Sequence, residues 1–278
     1  MTDSNVVVPF RNQLLEGVYR GSELPQRGSV ADCAYGVGWW ELDEIFQLYP
    51  GQFVIVTGIA GHGKSTFMLN VVSKLAREKG INSFLYVPEN EGYVIEQLRL
   101  MWPSTPETFE LFLDTNLFFQ TSIKSDKEKP HTMERLLEIA EAVVEAYNVE
   151  LVLIDPWNEL ERARKNDELL TDYIGRCIMQ IKNFTRRLDV TVVVIAHPTK
   201  AVNENGGRIP KLSDIEGSMN WFNKADNGLV IARSDEGNST RVISAKVRQI
   251  GAGRRGECHF SVDPKTGIFT PMKGAVDL

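Results

Sequence analysis

The run Gly58-Ile-Ala-Gly-His-Gly-Lys-Ser-Thr66, GIAGHGKST, follows directly on the apolar segment QFVIVT (52–57) and opens the helical pattern KSTFMLNVVSKLAREKG (64–80). It matches GxxxxGK[ST] without a gap, in the strand-to-helix setting that the motif needs. Gly58, Gly61 and Gly63 permit backbone angles that turn successive N–H groups toward one anion. The start of the following helix adds a dipole that favours negative charge. Lys64 is placed to reach the outer phosphates of a nucleoside triphosphate, ATP in the first instance, and Ser65 to offer its hydroxyl to Mg2+. His62, at a variable position, and Thr66 belong to the same binding stretch.

Three further apolar runs share the character of QFVIVT: NSFLYV (82–87), ELVLID (150–155) and VTVVVIAH (190–197). Each is continuous rather than alternating, as expected of strands covered on both faces. Helical patterns lie between them, TMERLLEIAEAVVEAYN (132–148) and NDELLTDYIGRCIMQIKNFTRRLD (166–189) beside the one already quoted. Strands alternating with helices imply an α/β fold with a mostly parallel, twisted sheet flanked by helices. GLVIAR (228–233), TRVISAKVRQ (240–249), GECHFSVD (256–263) and GIFTPM (267–272) are short strand candidates separated by turn residues. They predict an antiparallel C-terminal extension of the sheet. KSDKEKPH (124–131) reads as a polar surface loop.

The composition excludes several classes of protein. With 42% hydrophobic and 24% charged residues the chain reads as globular, and no apolar run approaches the ~18 residues of a membrane span. The N-terminus lacks a basic segment leading into a long apolar core, so no signal peptide is expected. Cys33, Cys177 and Cys258 are odd in number and widely spaced, which argues against a disulfide framework or zinc site and for a reducing compartment, the cytoplasm. A net charge of −6 runs against bulk electrostatic binding of nucleic acid, though not against a local basic channel.

Further positions carry chemistry. Asp155 ends the apolar strand in ELVLIDPW (150–157) and matches a carboxylate that holds Mg2+ through its water shell. Glu89, in FLYVPENEG (84–92), stands just past the second strand, expected beside the strand that feeds the phosphate loop. A carboxylate there can orient and deprotonate an attacking water, with Glu91 as the fallback. His197 stands at the tip of VTVVVIAH, where a polar side chain can touch the γ-phosphate. Lys246 and Arg248 in SAKVRQ (244–249) are two apart, which puts both side chains on one face of a strand.

In their order, GWWELDEIFQLYPGQFVIVTGIAGHGKSTF (38–67), YVPENE (86–91), LVLIDPWNEL (151–160), VVVIAHPTK (192–200), DIEGSMNWFNKADNGLVIAR (214–233) and AKVRQIGAGRRGE (245–257) resemble the helicase domain of RecA-like, ring-forming replicative helicases of superfamily 4, nearest the Twinkle-type and phage primase-helicase branch. The resemblance implies a RecA-like P-loop NTPase core and an ATP-dependent DNA helicase moving 5′ to 3′. It implies single-stranded DNA as partner, a homo-oligomer of six subunits, a primase or other replication protein alongside, and a bacterial or phage-infected cell. It assigns the catalytic glutamate to Glu89 and the γ-phosphate sensor to His197. It makes residues 198–213, with Lys200, Arg208 and Lys211, a DNA-binding channel loop, and Asn223 or Asn220 a polar contact in the segment behind it. It makes Lys246 and Arg248 a lysine and arginine finger reaching the neighbouring subunit's ATP, with Arg254 and Arg255 as competitors for the latter role. Residues 1–34 read as an arm or linker and 35–278 as the ATPase domain. A filament-forming recombinase or repair ATPase and a KaiC-like regulatory ATPase without DNA are the rival readings.

Overall fold

The computed structural model describes residues 19–23, 28–120, 131–199, 202, 208–217, 219–234 and 239–272. In chain order the elements are α1 (Val30–Cys33), α2 (Trp40–Asp43), β1 (Phe53–Thr57), α3 (Lys64–Lys79), β2 (Ser83–Tyr86), α4 (Val94–Met101), α5 (Pro106–Asn116), β3 (Leu117–Gln120), α6 (Met133–Tyr147), β4 (Leu151–Ile154), α7 (Leu170–Leu188), β5 (Thr191–Ile195), α8 (Asn220–Lys224), β6 (Asn227–Arg233), β7 (Ser239–Val247), β8 (Gly256–Val262) and β9 (Phe269–Pro271). Among the described residues the strands form a nine-stranded sheet in the order β3-β2-β4-β5-β1-β6-β7-β8-β9. β3 through β6 in that order are parallel, and β7, β8 and β9 are antiparallel.

The period of two in each central strand divides the core between two layers. Val54 and Val56 of β1, Leu151 and Leu153 of β4, and Val193 and Ile195 of β5 face a cluster built on α3, α4 and α5. Phe53, Ile55, Val152, Ile154, Val192 and Val194 face the other, built on α6, α7, Trp157 and Trp221. This two-sided burial explains why those runs are continuously apolar. The helices begin and end where local chemistry requires. Thr132 caps α6 by accepting from the Arg135 N–H at 3.2 Å. Gly80 ends α3 in the left-handed conformation, one residue after Arg77 and Lys79 meet the negative end of its dipole. Along α7, Tyr173, Ile174, Cys177, Ile178, Ile181 and Phe184 form one buried stripe.

Three points of the sequence reading are corrected. β6, read above as the first strand of the antiparallel extension, pairs parallel with β1, Val54 opposite Asn227; its residues are buried through Ala232, as in the other central strands. Only β7, β8 and β9 run antiparallel. The strand β2 is not beside β1, because β4 and β5 lie between them. The edge strand β3, with α4 and α5 before it, is absent from the sequence reading. β3 has four residues, of which only Leu117 is fully buried, so it lacks the long apolar run that marks its neighbours. The loop expected at 124–131 lies outside the described residues except for His131. Among the described residues no helix is long and apolar enough to cross a membrane.

The antiparallel strands are fastened back over the start of α3 by aromatic contacts. Trp39 meets Phe260 at 5.1 Å, and Phe67 of α3 meets Phe269 at 5.3 Å, both edge to face. This fixes the turn between β8 and β9 beside the glycine-rich loop.

Candidate active site

β1 delivers the chain into the loop at Gly58, where β6 passes so close that a Cβ would stand 2.2 Å from the Ile231 carbonyl oxygen. Gly61 and Gly63 take φ of 77° and 84°, left-handed values that glycine adopts without strain. Gly63 then caps α3, which starts at Lys64. The Lys64 side chain is 5% exposed and folds back so that its ammonium donates to the carbonyls of Gly58 at 2.9 Å and Ile59 at 3.0 Å. Burial lowers its pKa, against the opposing pull of Asp155 and Glu89.

Asp155 stands at the end of β4, 6% exposed, with its backbone N–H donating to the Tyr86 carbonyl at 2.9 Å. Its pKa is pushed up to about 6, chiefly by burial and also by Glu89, against a hydrogen bond from Ser65 and the charge of Lys64, which hold it down. Lys64, Ser65, Asp155 and Glu89 therefore act on one another across a single space. Glu89 is exposed in a one-turn 3-10 helix, Pro88–Asn90, just past β2. It comes near this group because β2 is the direct neighbour of β4, not because β2 adjoins β1.

The donor set fits a magnesium-bound triphosphate. A hydroxyl and a carboxylate are hard oxygen ligands, and Mg2+ is commonly held by one or two such groups together with phosphates and waters. Among the described residues no cluster of three or more His, Cys, Asp or Glu could hold a metal alone. Ser65 and Asp155 would hold the ion, and the loop from Gly58 to Thr66, His62 included, would surround the phosphates. The His62 Nδ1 accepts the Arg233 backbone N–H at 3.0 Å, which ties the loop to the end of β6.

His197 is half-buried at the tip of β5, and burial, followed by the Lys64 charge, lowers its pKa. Its Nδ1 is buried with no hydrogen-bond partner among the described residues. The segment beyond it returns on itself. Pro198 bridges Ile215, Thr199 N–H donates to the Asp214 carbonyl at 2.9 Å, and Glu216 N–H donates to the His197 carbonyl at 3.1 Å. The expected channel loop thus has a paired stem. Arg208 grips Asp214 with both terminal nitrogens, at 2.8 and 3.0 Å, and Lys211 is exposed. Lys200 lies outside the described residues.

Asn220 turns onto α7, its Nδ2 donating to the Thr171 carbonyl at 3.2 Å. Asn223 is exposed, and its backbone carbonyl accepts from the Lys246 ammonium at 3.1 Å and from the Arg248 guanidinium at 2.6 Å. The Lys246 ammonium also bonds the Phe222 carbonyl and lies over that ring. Burial, then Arg248, depresses its pKa to about 8. Arg248 donates its backbone N–H to the Asp226 carbonyl at 2.9 Å, just ahead of β6. The pair therefore sits at the amino end of the parallel strands, while Lys64, Asp155, Glu89 and His197 all follow carboxyl ends. About five residues of β6 separate the two ends, roughly 17 Å.

Sequence reasoning missed two groups. Asn70 on α3 clamps the β8–β9 turn with both ends of its amide. Its Nδ2 donates to the Gly267 carbonyl at 2.9 Å, and its Oδ1 accepts the Phe269 N–H at 3.1 Å. The turn so held walls a hollow of about 360 Å³ with Gly61, His62, Thr66, Arg233 and Asp263, continuous with the phosphate loop. The other group is Lys182 with Asp226, a buried ion pair at 2.7 Å beneath Arg248. A polar residue inside an amphipathic helix was the available signal in both cases, and neither has a recognisable spacing.

Comparison with known proteins places this arrangement. A family model described as an AAA domain matches residues 45–203, more than half of the chain. The chain is 28% identical over 263 residues to the Twinkle homolog protein, chloroplastic/mitochondrial, of Arabidopsis thaliana, covering 85% of this chain and 36% of that protein. It is 22% identical over 228 residues to the replicative DNA helicase DnaB of Mycoplasma genitalium, covering 76% and 48%. The chain thus spans less than half the length of these curated relatives. Among solved structures, one ATPase domain superposes with a TM-score of 0.72 at 19% identity, covering 86% of this chain and 91% of that one. A DnaB-like replicative helicase studied with primase gives 0.72 and 19%, covering 88% and 63%. The chain belongs to the AAA domain family, and it shares its fold with the ATPase domain and the DnaB-like replicative helicase just described.

Proposed function

We propose that the chain is an ATP-driven helicase domain that assembles with copies of itself around single-stranded DNA, in a cytoplasmic setting and alongside other replication proteins such as a primase. One observation carries this reading: the candidate catalytic groups stand at opposite ends of one sheet. Lys64, Ser65, Asp155, Glu89 and His197 gather at the carboxyl ends, while Lys246 and Arg248 lie at the amino end, bonded to carbonyls of α8. An arginine side chain cannot span roughly 17 Å of strand, so these two cations serve a site on another copy. A head-to-tail contact of that kind closes into a ring when its rotation permits. The family's hexamer meets this requirement, and residues 1–34 serve as the arm ahead of the domain.

Within each site Lys64 exchanges the loop carbonyls for the outer phosphate oxygens. Ser65 and Asp155 would hold Mg2+, which would supply neutralisation of the phosphate charge, and Glu89 takes the proton of the attacking water. His197 senses the γ-phosphate, and the neighbouring copy's Arg248 and Lys246 stabilise charge on the leaving side. A finger supplied in trans is worth roughly 10³–10⁵ in rate. Lys211 on the stem after His197 meets the DNA backbone, with Lys200 as the family resemblance implies; Arg208 orders the stem through Asp214, and Asn223 and Asn220 support it from behind.

The test is ATP hydrolysis by the parent and by Arg248→Ala, with and without a single-stranded oligonucleotide, with mass measured in parallel. Stimulation by DNA in an assembly larger than a monomer, lost in the variant, is expected. Hydrolysis by a monomer that ignores both DNA and Arg248 would point instead to a regulatory ATPase.

A further inference from the structure

Asn158 lies three residues past Asp155 and joins three segments that carry different parts of the chemistry. Its Oδ1 accepts the His197 backbone N–H at 3.3 Å, and its Nδ2 donates to Glu216 Oε2 at 3.3 Å. Glu216 closes the ring by donating its own backbone N–H to the His197 carbonyl at 3.1 Å. The other Glu216 oxygen faces Arg162 at 3.8 Å. Asn158 is half-buried, with Trp157 packed behind it against Trp221 at 5.0 Å. The amide therefore cannot swing away without breaking two bonds at once.

This ring ties the loop after β4 to the stem of the 198–216 segment through side chains. The two sides have different jobs: Asp155 precedes one, and the stem bearing Arg208 and Lys211 is the other. Hydrogen-bond networks between packed elements are one of the routes by which energetic coupling travels. Asn is suited to the position because it offers one acceptor and one donor about a planar amide. Its acceptor meets an N–H and its donor meets a carboxylate, so an isosteric Asp would satisfy the first contact and repel the second.

We propose that Asn158 is a positioning residue that transmits the state of the nucleotide site to the DNA-binding stem through Glu216. The proposal rests on the helicase reading above and adds to it the residue through which the two sites communicate. In thermodynamic terms, removing the link uncouples two affinities rather than abolishing either.

The experiment measures affinity of a fluorescent oligo(dT) strand by anisotropy, with and without a non-hydrolysable ATP analogue, for the full chain and three variants. Coupled sites commonly differ by about 5- to 150-fold in affinity between the two states. In Asn158→Asp that ratio falls to near one, while binding without analogue stays close to the parent's. In Asn158→Asp with Glu216→Gln the ratio returns, because the Gln amide donates to the new carboxylate. Glu216→Ala alters only an exposed side chain, so it guards against misfolding of the first variant; it too brings the ratio near one. An unchanged ratio in Asn158→Asp or Glu216→Ala overturns the relay, as does a double variant that is not restored. A parent that binds no oligo(dT) overturns the helicase reading itself.

Discussion

At the scale of single residues, Asp155 shows what a buried carboxylate, proposed above to hold Mg2+, costs the fold. Its pKa is raised from 3.8 to about 6, chiefly by burial. The folded chain then holds this proton more tightly than the unfolded chain does. Stability from this group is fully present below about pH 4 and is lost as pH rises to about 6. Above that range the metal-free chain carries a burden of about 3 kcal/mol, from roughly two units at 1.36 kcal/mol each. Asp155→Asn is therefore expected to be more stable than the parent near neutral pH in a chelator, with the difference shrinking toward about pH 4. It should also lose magnesium-dependent hydrolysis. Urea unfolding of both proteins across that range checks the sign; a variant less stable at neutral pH would show that Ser65 and Lys64 outweigh the burial.

At the scale of elements, Asp226 and Lys182 together join four of them: β1, α7, α8 and β7. The Asp226 carboxylate accepts the Phe53 N–H at 3.1 Å at the start of β1 and the Lys182 ammonium at 2.7 Å from α7, and lies 3.6 Å from Arg248 beyond β7. Lys182 also donates to the Lys224 carbonyl at the end of α8, at 2.9 Å. Burial lowers the Lys182 pKa, and Asp226 opposes that shift. Removing one partner of a buried pair strands the other, so Asp226→Ala should destabilise by about 3–5 kcal/mol. A lower urea midpoint with an unchanged slope would report this as stability rather than loss of compactness. A loss below about 1 kcal/mol would mean the pair is worth no more than an exposed one. The carboxylate also braces Arg248, so a surviving Asp226→Ala protein should show impaired finger function.

At the scale of the whole molecule, the separation of Lys64 from Arg248 makes a quantitative prediction. Lys64→Ala and Arg248→Ala should each abolish hydrolysis in a pure assembly. Mixed in equal amounts and allowed to exchange subunits, they should regain about a quarter of parental activity. Random neighbours in a head-to-tail ring pair an intact phosphate loop with an intact finger at about that frequency. A mixture as inactive as its components would place both residues in one copy's site, against the geometry of the sheet.

The phosphate loop, its helix and the alternating core were legible along the chain because each rests on local rules. GIAGHGKST needs only glycine at set intervals before a helix, and strands buried on both faces are apolar without interruption. Asp155 and Glu89 stand out as candidates because one ends such a run and the other follows just past one. The neighbours of these residues could not be read the same way. That β2 adjoins β4, which brings Glu89 to Asp155, follows from strand order, and strand order depends on how helices cross over the sheet. β6 has the composition of a parallel core strand, yet its partner is set by where the segment after β5 returns. The ring of Asn158, His197 and Glu216 and the Asp226 pair join residues 19 to 173 positions apart. Such bonds leave no periodic trace along the chain, because only the packed sheet and α7 bring their atoms within reach and exclude the water that would otherwise compete.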